Sequence, residues 1–289
     1  MFEFNMQRLT PEEFKKFSDL VYKESGIFMK DSKITLLSNR LRKRLQALGI
    51  ATYSEYFDYI QKLTDKTKEL ENLLDVVSTN ETYFFRSERH FDALIQKCIP
   101  DIVSKKKDHK LTVWSAGCST GEEPYTIAIC LSELKNILSG WNIEILATDI
   151  AYSVLDFAKE GRYSGRRIDK VPAELLGKYF DRPEGEPDVY AVKSQLKNMV
   201  KFGTLNLFKD QFPRNVDIIF CRNVMIYFDR EHQRNLVKNF YDALSKENGY
   251  FFIGHSETLH SVSEDFSYMK ILDAPVYVPK ERIHEFSAN

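Results

Sequence analysis

LTVWSAGCSTGEEPY, residues 111–125, passes from a short apolar run into a loop punctuated by Gly117 and Gly121, and then into the helical pattern PYTIAICLSEL. The order strand, glycine loop, helix recurs outward along the chain. NIEILATD (142–149) reads as a strand and YSVLDFAKE (152–160) as a helix. VDIIFCRN (216–223), RNLVKNFYDAL (234–244) and GYFFIGHS (249–256) repeat the alternation. Strands that alternate with helices are covered on both faces, which predicts a parallel, doubly wound sheet and a Rossmann-like domain over 111–289. One stretch breaks the pattern. Pro172, Pro183, Gly185 and Pro187 punctuate a turn-rich region flanked by KYFD and DVYAVKSQ, which predicts a small antiparallel β insertion at about 165–200.

Upstream, the periodicity is helical only. Thr10-Pro11-Glu12-Glu13 combines an N-cap, a proline at the first helical position and a capping-box glutamate, and Gly26 supplies the stop. Ile34, Leu37, Leu41, Leu45 and Leu48 recur at helical spacing before Gly49. Thr52-x-x-Glu55 opens a third helix, and Lys66 to Val77 gives a fourth. The expected layout is an all-α domain over 1–90, a linker helix and lysine-rich loop over 91–110, and the α/β domain beyond. The balance of 41 Lys and Arg against 42 Asp and Glu excludes a global basic coat for nucleic acid, so charge-driven binding must be local. The four cysteines form no CxxC pair and have no His cluster nearby, so neither a disulfide framework nor a metal site is indicated. No leader pattern or long apolar span is visible, which fits a soluble, cytoplasmic protein. No unusual apolar helix face calls for a dimer, and a monomer is expected.

In an open parallel sheet, ligands bind outside the carboxyl ends of the strands. The 117–121 loop lacks the Lys-Ser/Thr of a P-loop and is not GxGxxG, and Glu122 and Glu123 oppose a polyanion. A cationic or neutral nucleotide-like ligand suits it, with S-adenosylmethionine the obvious candidate. Asp149, ending the second strand, can accept hydrogen bonds from ribose hydroxyls or cap the next helix. The third strand delivers Arg222, Asn223 and Tyr227 to the rim, where Asn223 can equally be a turn cap.

Four blocks, TNETYFFR (79–86), STGEEPY (119–125), CRNVMIYF (221–228) and GHSE (254–257), together with NRL (39–41) and RLQALG (44–49), resemble the signature segments of the CheR-type chemotaxis receptor methyltransferases. The resemblance implies transfer of a methyl group from S-adenosylmethionine to glutamate side chains on the cytoplasmic helical domains of chemoreceptors, with S-adenosylhomocysteine as product. Carried over position by position, it implies cofactor contacts at Asn80, Thr82, Arg86, Glu123, Asp149, Asn206, Leu207, Arg222 and Asn223. It also implies that the insertion is the family's β-subdomain, which in some members docks a receptor C-terminal peptide.

A carboxylate acceptor has a reference pKa of about 4.3 and is ionised at neutral pH, so no general base is needed. Positioning should dominate, since orientation can contribute on the order of 7 to 11 kcal/mol. Arg86 can pair with a cofactor or acceptor carboxylate. Tyr227 is the candidate for orienting the acceptor, and Glu123 for facing the cofactor's ammonium. Lys33, Arg40 and Arg44 share one helical stripe, a cationic edge suited to an acidic helix or a plain solvated face. The GHSE run lacks nucleophile-elbow geometry and shapes the pocket. Cys118 and Cys221 read as small apolar fillers, and His90 and His232 as structural or exposed rather than as ligands. The alternative to an enzyme is a non-catalytic S-adenosylmethionine-binding adaptor or sensor.

Overall fold

The computed structural model describes residues 8–286; 1–7 and 287–289, the outer ends of the two expected domains, lie outside the described residues. The helices α1 (Pro11–Ser25), α2 (Ile34–Leu48), α3 (Tyr53–Lys62) and α4 (Thr67–Val77) come first. Their ends follow the sequence signals. Thr10 Oγ1 accepts from the Glu13 N–H at 3.2 Å while Glu13 Oε2 accepts from the Thr10 N–H at 2.8 Å, closing the capping box. Gly26 and Gly49 stop α1 and α2 at φ of 71° and 66°, which a side chain would resist. Phe17, Val21, Leu41, Tyr56, Leu73 and Val77 form a core of this domain's own.

The second domain runs α5 (Glu88–Ala93), a π-helical turn (Leu94–Cys98), α6 (Ile99–Lys105), β1 (Lys110–Ala116), α7 (Glu122–Glu133), β2 (Asn142–Asp149) and α8 (Tyr152–Glu160). A short excursion follows through β3 (Arg162–Tyr163), α9 (Ala173–Tyr179), β4 (Phe180–Asp181), β5 (Tyr190–Val192) and α10 (Ser194–Lys197). Then come β6 (Val200–Thr204), β7 (Ile218–Cys221), α11 (Arg230–Ala243), β8 (Tyr250–Ile253), β9 (Phe266–Ile271) and β10 (Ala274–Pro279).

The main sheet has seven strands in the order β6-β2-β1-β7-β8-β10-β9. β6, β2, β1, β7 and β8 are parallel, whereas β10 is antiparallel to both β8 and β9. Alternation along β1 buries both sheet faces: Leu111 and Val113 enter one core, Trp114 and Ala116 the other. The insertion is a separate antiparallel sheet, β3-β5-β4, as expected.

Two features depart from the sequence reading. The β9-β10 hairpin adds an antiparallel edge. Its turn, Leu272-Asp273, has φ of 47° and 65° without a glycine or asparagine to signal it. The stretch expected to link the domains is built into the second, because Phe91, Leu94, Cys98 and Ile102 are buried in the same core as Val113. The two domains touch directly. The Phe28 N–H donates to the Tyr227 carbonyl at 2.8 Å, Ile27 bridges Phe228, and Asp75 of α4 caps α8 through the Ser153 N–H at 2.9 Å. Among the described residues no helix is long and apolar enough to cross a membrane.

Candidate active site between the two domains

From β1 the chain winds outward through β2 to β6, then returns to β7 on the other flank of β1. The strand order reverses there, and an open sheet offers its crevice at such a point. A cavity of about 520 Å³ occupies it, a size typical of small-ligand sites. The helical domain closes one side with Phe28, Lys33, Leu36 and Arg40, and the α/β domain supplies the rest. Asn80, Thr82, Arg86, Glu123, Asp149, Asn206, Leu207, Arg222, Asn223 and Tyr227 all line this one space.

Asp149 ends β2 with its carboxylate in two backbone bonds, from the Ser119 N–H at 2.8 Å and the Ala151 N–H at 3.0 Å. It is thus both a cap and a cavity wall. Each oxygen keeps a second lone pair, so the residue suits a diol such as a ribose. Burial pushes its carboxyl above the usual range, with those N–H groups opposing. Asn206 turns its amide toward α1, donating to the Glu24 carbonyl at 2.8 Å and accepting from the Phe208 N–H at 3.0 Å.

The glycines of the 117–121 loop make room for neighbouring side chains. A Cβ on Gly117 would lie 2.5 Å from Val224, and one on Gly121 would lie 2.7 Å from the Ala158 Cβ and 2.8 Å from the Tyr163 hydroxyl. Packing therefore requires glycine at both positions, and Gly117 also lines the cavity.

The two adjacent glutamates separate. Glu122 is fully buried and bonds Arg167 and the Thr120 hydroxyl. Glu123 faces the cavity, accepting from the Ser115 hydroxyl at 2.6 Å and from Arg222 Nε at 2.6 Å. Each oxygen accepts one of these bonds and keeps a second lone pair, so Glu123 stays able to face an ammonium from the cavity wall. Arg222 also reaches across to the TNETYFFR segment. Its Nη1 donates to the Arg86 carbonyl at 2.5 Å and lies 3.2 Å from His90 Nδ1. The strand end is therefore pinned to the segment that carries Arg86, whose own guanidinium donates to the Glu81 carbonyl at 2.9 Å. His90 is fully buried, and burial, then Arg222 and His255, pulls its imidazole down to about 3. It accepts from Arg222 as a neutral ring, a structural role as expected.

Tyr227 sits in a 3₁₀ turn, Met225–Tyr227. Among the described residues its hydroxyl has no hydrogen-bond partner, although its backbone is held at both ends. Of the three cations expected on one helical stripe, Lys33 lies in the 3₁₀ turn Asp31–Lys33 ahead of α2, and Arg40 and Arg44 lie on α2 itself. Lys33 is exposed at the cavity mouth without an ion-pair partner among the described residues. Arg40 donates to the Val77 carbonyl and to the Thr79 hydroxyl at 2.7 Å. Arg44 leaves the edge altogether. Its Nε and Nη2 clamp the two oxygens of the buried Glu69 at 2.7 and 2.5 Å, and the Tyr56 hydroxyl adds a third bond at 2.6 Å. A partner 25 residues away was invisible to helical spacing, and the substrate role expected for Arg44 gives way to a structural one.

The sequence reading also missed the apolar collar. Phe28, Leu36 and Ile226 line the cavity yet are 51%, 40% and 50% exposed. Cys118 and Cys221 are buried, and burial pushes both thiols well up, so neither is a nucleophile.

A space of this size at the switch point, with a strand-end carboxylate and no phosphate cradle, suits a nucleoside bearing positive charge. That is the profile of an S-adenosylmethionine-dependent methyltransferase. Residues 80–274 match the CheR methyltransferase SAM-binding domain, and residues 12–78 match the CheR methyltransferase all-alpha domain. The chemotaxis protein methyltransferase of Borreliella burgdorferi is 41% identical over 264 residues, covering 89% of this chain and 92% of that protein. The chemotaxis protein methyltransferase 2 of Vibrio cholerae is 34% identical over 262 residues, with 89% of each chain covered. The Escherichia coli chemotaxis protein methyltransferase is 34% identical over 263 residues, covering 90% of this chain and 88% of that one. The chain belongs to the CheR methyltransferase family.

Proposed function

We propose that this enzyme methylates glutamate side chains on the cytoplasmic helices of chemoreceptors, forming glutamyl methyl esters. The observation that carries the reading is the composition of the cavity mouth. Lys33 and Arg40 bring positive charge to it, and Phe28, Leu36 and Ile226 ring it with exposed apolar surface. An acidic, amphipathic helix complements both features: its carboxylates meet the cations and its apolar stripe meets the collar. A strongly charged small molecule would leave the collar in water.

When bound, the cofactor supplies a sulfonium methyl group that a carboxylate oxygen takes in line, the C–S electron pair returning to sulfur without any proton transfer. The residues of this chain act by holding and orienting. Asp149 is placed for a ribose, and Asn80, Thr82, Asn206, Leu207 and Asn223 for the rest of the cofactor. The Glu123–Arg222 pair forms a rigid wall that fixes the Arg86 segment. Arg86 is placed for a carboxylate and Tyr227 for orienting the acceptor, its unpartnered hydroxyl free to donate to one. The three-stranded sheet at 162–192 is the candidate dock for a receptor C-terminal peptide. Transfer of labelled methyl to membranes carrying receptors, compared with receptors whose acceptor glutamates are replaced by alanine, tests the reading. Label should follow the glutamates, and equal labelling of both membranes would overturn it.

A further inference from the structure

We propose that Glu257 is a positioning residue for methyl transfer, holding Asn223 and the Tyr227 turn in register through their backbone N–H groups. β7 and β8 are adjacent and parallel, with Cys221 opposite Ile253, so both strands end at the same level above the crevice. Two loops leaving one level would diverge unless something ties them. Glu257 does so. Its Oε2 accepts from the Asn223 N–H at 2.8 Å and from the Gly254 N–H at 2.6 Å, and its Oε1 accepts from the Ile226 N–H at 3.3 Å. One carboxylate thus joins the end of β7, the end of β8 and the turn that carries Tyr227.

The local geometry is built around that carboxylate. Asn223 has φ of 60°, a left-handed conformation that a non-glycine residue adopts at a cost and holds only when its surroundings fix it. Gly254 makes room. A Cβ there would lie 2.6 Å from Glu257 Oε2 and 2.9 Å from the Asn223 nitrogen. Burial works against a charge at this place, and converging backbone N–H groups compensate, as they do for anions in main-chain nests. An amide could not replace it fully, because glutamine would turn an NH₂ toward an N–H donor. Glu257 does not line the cavity, whereas Asn223, Val224, Ile226 and Tyr227 do. Its effect on chemistry therefore runs through them.

The proposal rests on the methyl-transfer reading, and the experiment separates the two. Glu257→Gln, Gly254→Ala and the control Ser256→Ala are made in the full chain. Thermal midpoint, S-adenosylhomocysteine affinity by calorimetry, and kcat and KM for transfer are then measured. Misplacement of reacting groups by about 1 Å can cost on the order of 100-fold. Glu257→Gln and Gly254→Ala should therefore lower kcat about 10- to 100-fold at saturating substrates and weaken product affinity. Their midpoints should fall by several degrees while both variants stay folded at the assay temperature, and Ser256→Ala should behave as wild type. Wild-type kcat in a folded Glu257→Gln and Gly254→Ala, or a loss no larger than the unfolded fraction, would overturn the proposal. So would unfolding of both variants, which would assign Glu257 to stability alone. A wild-type chain that binds the product but transfers no methyl defeats the methyl-transfer reading instead, and the calorimetric comparison then decides the role of Glu257.

Discussion

Removing one oxygen atom, in Tyr227→Phe, isolates the positioning claim. The ring has its place fixed by the backbone: the Tyr227 N–H donates to the Val224 carbonyl at 3.1 Å, and its carbonyl accepts from the Phe28 N–H at 2.8 Å. The hydroxyl has no partner among the described residues, so its loss leaves no orphaned group, and the thermal midpoint should move by less than about 1 °C. In the reacting complex the hydroxyl donates to a carboxylate, a bond to a charged group worth about 1.5–3 kcal/mol. That corresponds to a fall of roughly 10- to 150-fold in kcat. Transfer of labelled methyl at saturating cofactor and acceptor measures it, with S-adenosylhomocysteine affinity expected to be unchanged. Full turnover in the variant would refute the assignment, and so would a loss confined to cofactor affinity, which would place Tyr227 against the cofactor.

Other perturbations divide the site into its parts. Arg44→Ala should destabilise the helical domain by about 3–5 kcal/mol by stranding the buried Glu69, with little effect on acceptor KM in the folded fraction; chemical denaturation and kinetics check both halves. Lys33→Glu should do the reverse, raising acceptor KM several-fold and flattening its salt dependence while the midpoint stays put. Arg222→Met should lower the melting temperature by on the order of 10 °C, since it leaves Glu123 buried without its partner, and should abolish cofactor binding by calorimetry. The His90 imidazole is depressed from 6.5 to about 3, so the unfolded chain takes up a proton first as pH falls. The stability that its neutral form contributes is complete above about pH 6.5 and is lost progressively toward pH 3, so a His90→Gln variant should melt with a flatter pH profile across that window.

The helical domain was the most legible part, because caps and glycine stops are local signals: Thr10, Gly26, Gly49 and Thr52 each mark a helix end in the structure. The parallel strands were legible from burial on both faces. The β9-β10 hairpin was not, because its turn forces Leu272 and Asp273 into conformations that sequence associates with glycine and asparagine. The candidate cofactor residues were nameable by resemblance, yet the network joining them was hidden. Arg222 holds a carbonyl in a segment 136 residues away, and Glu257 holds backbone groups that carry no side-chain identity. Arg44 takes a structural role for the same reason: its partner Glu69 is distant in sequence.

The bond formed by the enzyme distinguishes a glutamyl ester from every other methylated product. Receptor-containing membranes labelled by the enzyme from methyl-labelled S-adenosylmethionine are treated with mild alkali, and volatile label is collected. Release of the label as methanol is the predicted result, since a glutamyl methyl ester hydrolyses under those conditions. Label that stays on the protein through alkali would contradict the account by placing the methyl on nitrogen or in an ether, and cofactor binding without any transfer would return the chain to the role of a sensor.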